Sequence, residues 1–455
     1  VTRTRLAHIA AAAAAVLMLL APALWNGFPL LEHDTGGYLA RWYEGSLEVS
    51  RSTVYGLFLV PLIHLDFWPV IVVQSALTVW VIALILRAHG WSGRPLVLLI
   101  TVAVLAVATT LPWIASILLT DIFAGLGVLA LYLVVLRADV LAGWERVALI
   151  VLAGFSGATH SATLAVELAL MACAALAAPF RRQLVPLAGL GRGIAALVLA
   201  PVLLVGANYV VAGQFAWTPG GIALSFGRML QDGIVARFLA DHCPDPRFRL
   251  CDHRAELPSD ADQFFWGESV FNKLGRFQGL NDEMRTIVLE SLRDYPLWQL
   301  EAATSASVRQ LIAVNTGEGV LNTLWHTYAI IEKFTPTAAP AMRAARQQKG
   351  ELHFTAINRL HVPVALASML LLLGVIALAF RRERFADLGP LAATAALALL
   401  ANAAVCGILA NPHDRYGARL IWIATLVVVL VPWRAVDREP TRSDAPALAG
   451  KGHIT

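Results

Sequence analysis

Charge is scarce in this chain. Only 15% of its residues are charged while 58% are apolar, too little polarity to clothe a water-facing globule, so a polytopic membrane protein is what remains. Cysteine is scarce as well, with four residues. Cys173 and Cys406 fall inside apolar runs and read as small core side chains. Cys243 and Cys251 flank a Pro-Asp-Pro turn and suit a small disulfide loop in an oxidising compartment. The competing reading is a metal site with His242, Asp252 and His253, and the disulfide is favoured because the tight CxxC pairs of structural zinc sites are missing. Also missing are a Gly-rich phosphate loop, a heptad run and an internal repeat, the last of which argues against an inverted-repeat transporter. The net charge of +4 is modest and follows from a loop bias described next, so no nucleic-acid partner is implied.

Apolar runs are what the chain has in abundance. Crossing a hydrocarbon core of about 30 Å takes roughly 20 residues, and ten segments qualify as candidates: Leu6–Trp25, Pro69–Arg87, Leu96–Leu111, Ile122–Leu136, Val147–Phe155, Thr163–Pro179, Ile194–Val211, Val362–Phe380, Leu388–Leu409 and Leu420–Trp433. The first reads as a retained anchor rather than a cleaved signal peptide, because nine further spans follow. Under strict alternation Arg3, Arg5, Arg87, Arg94, Arg137, Arg146, Arg181, Arg182, Arg192, Arg381, Arg382, Arg384, Arg434 and Arg438 share one side. The positive-inside rule makes that side, with both termini, cytoplasmic. Arg greatly outnumbers Lys, which hints at a GC-rich bacterium and hence at its inner membrane. The expected fold is therefore an all-α transmembrane bundle in four parts: a seven-span front, 1–211, with a first outer loop at 26–68; an outer helical insert, 212–361; a three-span module, 362–434; and a cytoplasmic tail, 435–455. In the insert, Phe226–Ala240 and Met284–Arg293 read as amphipathic stretches, and Trp266, Trp298 and Trp325 fit an interfacial belt.

Ionisable residues next to a lipid-embedded bundle are costly and mark function by default. Four clusters are expected on the outer side: Glu32, His33, Asp34, Tyr38, Arg41, Glu44 and Arg51; Asp121, opening a span; His160 in GATHSA; and His413, Asp414, Arg415, Tyr416 and Arg419. A transferase moving a sugar from a polyprenyl phosphate to a hydroxyl needs a base on the acceptor and positive charge on the departing phosphate. Asp34 and Arg415 suit those two roles. Plainer readings stand beside them: the first cluster as helix cap and solvated loop, Asp121 as an N-cap, His160 as an interhelical hydrogen bond, and Arg415 and Arg419 as headgroup anchors.

Taken together, Asp34 in EHDTGGYL, Asp121 in LLTDIFAGL, the Arg415–Tyr416 pair before the last helix and the stretch RSTVYGLFLVPL from Arg51 to Leu62 resemble the C-type superfamily of polytopic glycosyltransferases. That superfamily includes the protein O-mannosyltransferases and the bacterial aminoarabinose transferases of lipid A. The resemblance implies Asp34 as general base, Asp121 as a second acid positioning acceptor or donor, and Arg415 as ligand of the lipid phosphate. It further implies a polyprenyl-phosphate-linked sugar as donor, membrane lipid as surroundings, transfer with inversion to an unspecified outer lipid, polysaccharide or protein, and no cofactor or metal. The chain departs from the family in showing EHD instead of a DE pair, His160 where many members show Lys, and an insert matching no known module. Two other readings remain open. One is a transporter or flippase of lipid-linked glycans, for which Glu167 is the clear mid-span acid. The other is a polysaccharide ligase or polymerase leaning on His253, Arg254 or His326 of the insert.

Overall fold

The computed structural model describes residues 2–437 apart from 48, 50, 219 and 220, so the expected tail beyond residue 437 lies outside the described residues. Among these the chain is all helix, with one isolated bridge, Leu30 to Ile117, in place of any strand. The elements are α1 (Thr2–Asn26), α2 (His33–Glu44), α3 (Thr53–Leu59), α4 (Trp68–Ala88), α5 (Pro95–Ala108), α6 (Leu111–Ala115), α7 (Asp121–Leu136), α8 (Gly143–Thr159), α9 (Ser161–Ala177) and α10 (Leu187–Ala212). The insert carries α11 (Ala223–Gln231), α12 (Ile234–His242), α13 (Ala261–Trp266), α14 (Val270–Lys273), α15 (Arg276–Asp294), α16 (Pro296–Ile312), α17 (Trp325–Phe334) and α18 (Ala339–Ala344). The bundle resumes with α19 (Thr355–Arg381), α20 (Gly389–Leu409) and α21 (Asp414–Val436).

Nine of the ten apolar runs map to one helix each, whereas Leu96–Leu111 runs past the end of α5 at Ala108 to the start of α6. Among the described residues, six helical segments are long and apolar enough to cross a membrane: Thr4–Asn26, Trp68–Ala88, Leu187–Ala212, Thr355–Arg381, Glu383–Leu409 and Asp414–Val436. Pro95–Ala108, Asp121–Leu136 and Ser161–Ala177 are apolar but shorter. Helix α7 is buried on every side from Asp121 to Val135, as expected of a helix that is apolar all round and sits at the centre of a bundle. Around it, α1, α10 and α19 turn large apolar side chains outward, among them Leu17, Val202 and Leu370. Patches of that kind signal a non-aqueous neighbour.

The insert has its own core of aromatic and aliphatic side chains, including Phe226, Phe238, Phe264, Phe271, Met284 and Ile287. Burial of each such side chain contributes about 1.5–3 kcal/mol, so this layer is a folded unit and not a loop. Its expected stretch Phe226–Ala240 is two helices, broken at Asp232 and Gly233, where Gly233 takes a left-handed φ of 78°. Cys243 and Cys251 are joined in a disulfide. The unit ends at α18 and its trailing loop, because α19 already begins at Thr355, ahead of the expected boundary at 361. Contacts that seat the insert on the bundle include α16 along α20, with Ala306 against Gly407, and α17 along α2, with Thr327 against Gly36.

Candidate functional site

Four helices begin at one place. The first turns of α2, α7 and α21 bring Asp34, Asp121 and Arg415 into contact, and α9 starts beside them with His160 as its N-cap. Unsatisfied N–H groups and the helix dipole make each such terminus a region of positive potential that favours anions. Local sequence explains the starts. The Glu32 side chain accepts the backbone N–H of Asp34 at 2.7 Å while the Thr35 hydroxyl accepts the N–H of Glu32 at 3.0 Å, a reciprocal cap on α2. Asp121 is not an N-cap: it is the first residue of α7, and Thr120 holds the cap position.

Arg415 is the hub. Its Nη1 lies 2.9 Å from Asp34 Oδ2 and 3.2 Å from Glu32 Oε1, and its Nε donates to Asp121 Oδ2 at 2.8 Å. Arg51 pairs with the other oxygen of Asp34, Oδ1. Asp34 thus has both oxygens engaged by guanidinium groups, whereas Asp121 Oδ1 is buried with no hydrogen-bond partner. A third arginine, Arg419, is 1% exposed and among the described residues has only neutral partners: Asn402 Oδ1 at 2.7 Å, Cys406 Sγ at 3.3 Å, His160 Nδ1 at 3.4 Å and the ring of Tyr416 at 5.5 Å. A buried cation without an acidic partner is costly unless an anion joins it.

The two acids of the first loop titrate oppositely. Burial pushes the Glu32 carboxyl up to about 7, with Arg415 opposing the rise and Asp34 adding to it. Burial would raise Asp34 too, but Arg51 and Arg415 outweigh it and hold that carboxyl down at about 2. Burial lowers His33, and lowers His160 well below the ordinary histidine value with Arg419 and Arg415 reinforcing the effect. Both imidazoles therefore enter the site neutral at pH 7.

The remaining residues expected from sequence divide into two groups. Tyr38 is 1% exposed and packs edge-on against Tyr55 at 5.2 Å, so it forms the floor beneath the acids. Arg41 lies two turns along α2 from Asp34 and pairs with Glu44 at 3.0 Å. His413 and Tyr416 stand at the rim, with rings 5.4 Å apart. The insert residues His253, Arg254 and His326 are not brought into contact with the Arg415 hub; His253 pairs with Glu256 at 3.0 Å.

Four supporting residues escaped sequence reasoning. Glu318 accepts the Arg415 backbone N–H at 2.6 Å and pairs with His413 Nδ1 at 2.8 Å. The next residue, Gly319, has a left-handed φ of 79°, and a Cβ there would lie 2.6 Å from Glu32 Oε1, so only glycine allows the loop to lean on that carboxyl. Gln310 brackets His413, accepting its N–H at 2.9 Å and donating to its carbonyl at 2.8 Å. Asn402 orients Arg419 and donates to the Tyr416 carbonyl at 2.7 Å. The available signal was TGEG, an acid between two glycines, which reads as an ordinary turn.

Chemically, the arrangement pairs a buried carboxyl poised near neutrality with two guanidinium groups able to bind a phosphate, at the end of an apolar bundle. No protein-family model, curated protein or solved structure matches this chain.

Proposed function

We propose that this chain is a multi-pass bacterial inner-membrane glycosyltransferase of the C-type kind, taking a sugar from a polyprenyl phosphate and transferring it with inversion to an acceptor on the outer face. In this reading all ten apolar helices cross or enter the bilayer, both termini are cytoplasmic, and the Arg415 hub faces outward. The observation that carries it is the convergence of Glu32, Asp34, Asp121, Arg51 and Arg415 where four helix N-termini meet, with Arg419 buried beside them and lacking an acidic partner. A lipid monophosphate suits such a place, because guanidinium forks bind phosphate bidentately and helix N-termini add to the attraction. The acceptor hydroxyl then meets carboxylates on the same floor.

The test is transfer by purified protein in nanodiscs supplied with a panel of polyprenyl-phosphate hexoses and pentoses and an envelope extract as acceptor source. New glycan on the acceptor, lost in Arg415→Ala, supports the reading. A lipid-linked sugar that moves across the bilayer with its phosphate bond intact overturns it in favour of a transporter. One observation stands on that side: Glu167, in the middle of α9, is fully buried and neither of its oxygens has a hydrogen-bond partner.

A further inference from the structure

We propose that Glu32, rather than Asp34, takes the proton from the acceptor hydroxyl, and that Glu32 is freed to do so when the donor's phosphate draws Arg415 toward itself. This rests on the transferase reading and assigns a role within it.

The argument begins with lone pairs. A general base needs an oxygen not already committed to a cation and a protonation equilibrium near the working pH. Asp34 offers neither, since Arg51 holds Oδ1 and Arg415 holds Oδ2 at 2.9 Å. Asp121 spends Oδ2 on Arg415 Nε at 2.8 Å, and its other oxygen is sealed from solvent. Glu32 differs. One of its oxygens caps α2 through the Asp34 N–H, and the other, Oε1, has a single ion-pair partner among the described residues, Arg415 at 3.2 Å, the longest of the three hub contacts. Within the ion-paired cluster, which Arg419 does not join, two arginines match two aspartates and Glu32 is the carboxyl in excess.

The groups facing Glu32 define how it responds. They are Asp34 and His33 on its own helix, Arg51 just before α3, Arg415 on α21, and the Glu318–Gly319 loop pressed against it. Removing Arg415 leaves Asp34 neutralised by Arg51 but leaves Glu32 with no ion-pair partner of its own, only Arg51 already paired with Asp34. Its carboxylate then becomes the stronger base, and the ionised fraction in the donor complex, which grows as pH rises, is the form that takes the acceptor's proton. During transfer the acceptor O–H bond breaks and its proton passes to Glu32 Oε1. The oxygen's electron pair forms the bond to the anomeric carbon, and the bond from that carbon to the phosphate oxygen breaks. Polyprenyl phosphate leaves with the bonding pair, its new charge held by Arg415.

Infrared difference spectroscopy of the full-length protein in nanodiscs, titrated with and without undecaprenyl phosphate, tests this without requiring turnover. The expected result is a protonated-carboxyl band with a midpoint near neutrality, absent in Glu32→Gln and retained in Asp34→Asn, whose midpoint rises by about one unit or more when the lipid is added. A band that survives Glu32→Gln, or that the bound lipid does not move, overturns the proposal. Failure of undecaprenyl phosphate to bind at all strikes the transferase reading instead, so the two failures are distinguishable. Should Glu32→Gln not accumulate, mass-spectrometric mapping of carbodiimide-modified carboxyls in wild-type protein decides the point. Modification of Glu32 that increases with the lipid supports the assignment, and modification of Asp34 with Glu32 untouched overturns it.

Discussion

The two ends of this bundle handle charge in different ways. At the site end three carboxylates from two stretches of chain, Glu32 with Asp34 and the distant Asp121, share one guanidinium, Arg415. At the opposite end the arginines are spread thinly. Arg434 pairs with Asp387 and donates to the His89 carbonyl at 2.9 Å, Arg94 pairs with Asp437, Arg137 reaches the Ala88 carbonyl, and Arg192 donates to the Val134 carbonyl at 2.7 Å. Those groups terminate helices and complement the negative ends of helix dipoles, which needs one cation per helix and no cluster. Charge at the opposite end fastens helix ends together; charge at the site end is concentrated beyond what fastening requires. Concentration of that kind is expensive, and the expense is the physical reason to look there for function.

The sharpest way to break this contrast is to remove the hub. Arg415→Ala leaves two carboxylates buried without a cation, since Arg51 still holds Asp34, and is expected to cost about 3–5 kcal/mol. The loss should shrink as pH falls toward 5, because protonation of Glu32 relieves it. Thermal unfolding followed by intrinsic tryptophan fluorescence at several pH values measures this, and a variant as stable as wild type would mean that the cluster is not an interdependent unit.

The next effect belongs to Glu32. Its folded value of about 7 lies above the ordinary 4.5, so its favourable contribution is fully present below 4.5 and is lost as pH rises through 7. Glu32→Gln keeps the cap, because an amide oxygen still accepts the Asp34 N–H, and cannot ionise. The variant should match wild type near pH 4.5 and exceed it by on the order of 2–3 kcal/mol at pH 8. Asp34 runs the other way: held down at about 2 from 3.8, it stabilises above 3.8 and loses that contribution as pH falls through 2. A Glu32→Gln curve parallel to wild type from pH 5 to 8 would remove the asymmetry between the two acids.

How much of this was visible in the sequence depends on what kind of information each piece needs. Acids are so rare in an apolar chain that Asp34 and Asp121 stand out unaided, and apolar runs locate helices because the helix is the only open-ended way to satisfy backbone groups away from water. Partnership is another matter. Arg415 meets Asp34 across 381 positions of chain, and no local pattern encodes that encounter. Glu318 was invisible for a related reason: its importance comes from where the insert folds back, not from its neighbours in sequence. The break at Gly233 was missed because apolar periodicity runs through it from Phe226 to Ala240, although the left-handed φ there ends one helix and starts another.

At the opposite end, Arg434→Ala should cost less than Arg415→Ala, about 1 kcal/mol, because Asp387 keeps its contact with His89 at 3.0 Å and is about a third exposed. Undecaprenyl phosphate binding should be unchanged in this variant. Equal losses at the two ends, in stability or in lipid binding, would erase the distinction between fastening and function.

Smaller still is the latch between insert and site. His413 Nδ1 meets Glu318 at 2.8 Å, and its Nε2 lies 3.6 Å from Asp262 on α13. Burial would lower His413, but Glu318 and Asp262 outweigh it and raise the imidazole above the usual 6.5, while His413 and the Arg415 N–H together outweigh burial to hold Glu318 below 4.5. The histidine contribution is present below 6.5 and lost as pH rises through its folded value; the glutamate contribution is present above 4.5 and lost as pH falls through its own. Glu318→Gln should therefore cost at most about 1 kcal/mol, most visibly between pH 4.5 and 6.5 and less at pH 8. Limited proteolysis of the insert across that range reports it, and a constant difference at all pH values would show that the pair is not ionic.

The smallest expected effect is at Glu167, which turns the comparison inward to the middle of the bundle. Its side chain fits between Gly127 of α7 and Gly157 of α8, where a Cβ on either glycine would run into its carboxyl oxygens. No cation stands beside it, and neither oxygen is hydrogen-bonded. Nothing in that niche calls for a negative charge, in contrast to the site end, where Glu32, Asp34 and Asp121 each meet a guanidinium. Glu167→Gln preserves the shape and should move the unfolding temperature by no more than about 2 °C, with glycan transfer unaltered. If the variant instead transfers sugar normally only in detergent and fails in sealed vesicles, a carboxyl at this depth is needed for movement across the bilayer. The transporter reading would then gain the one residue it lacks in the outer cluster.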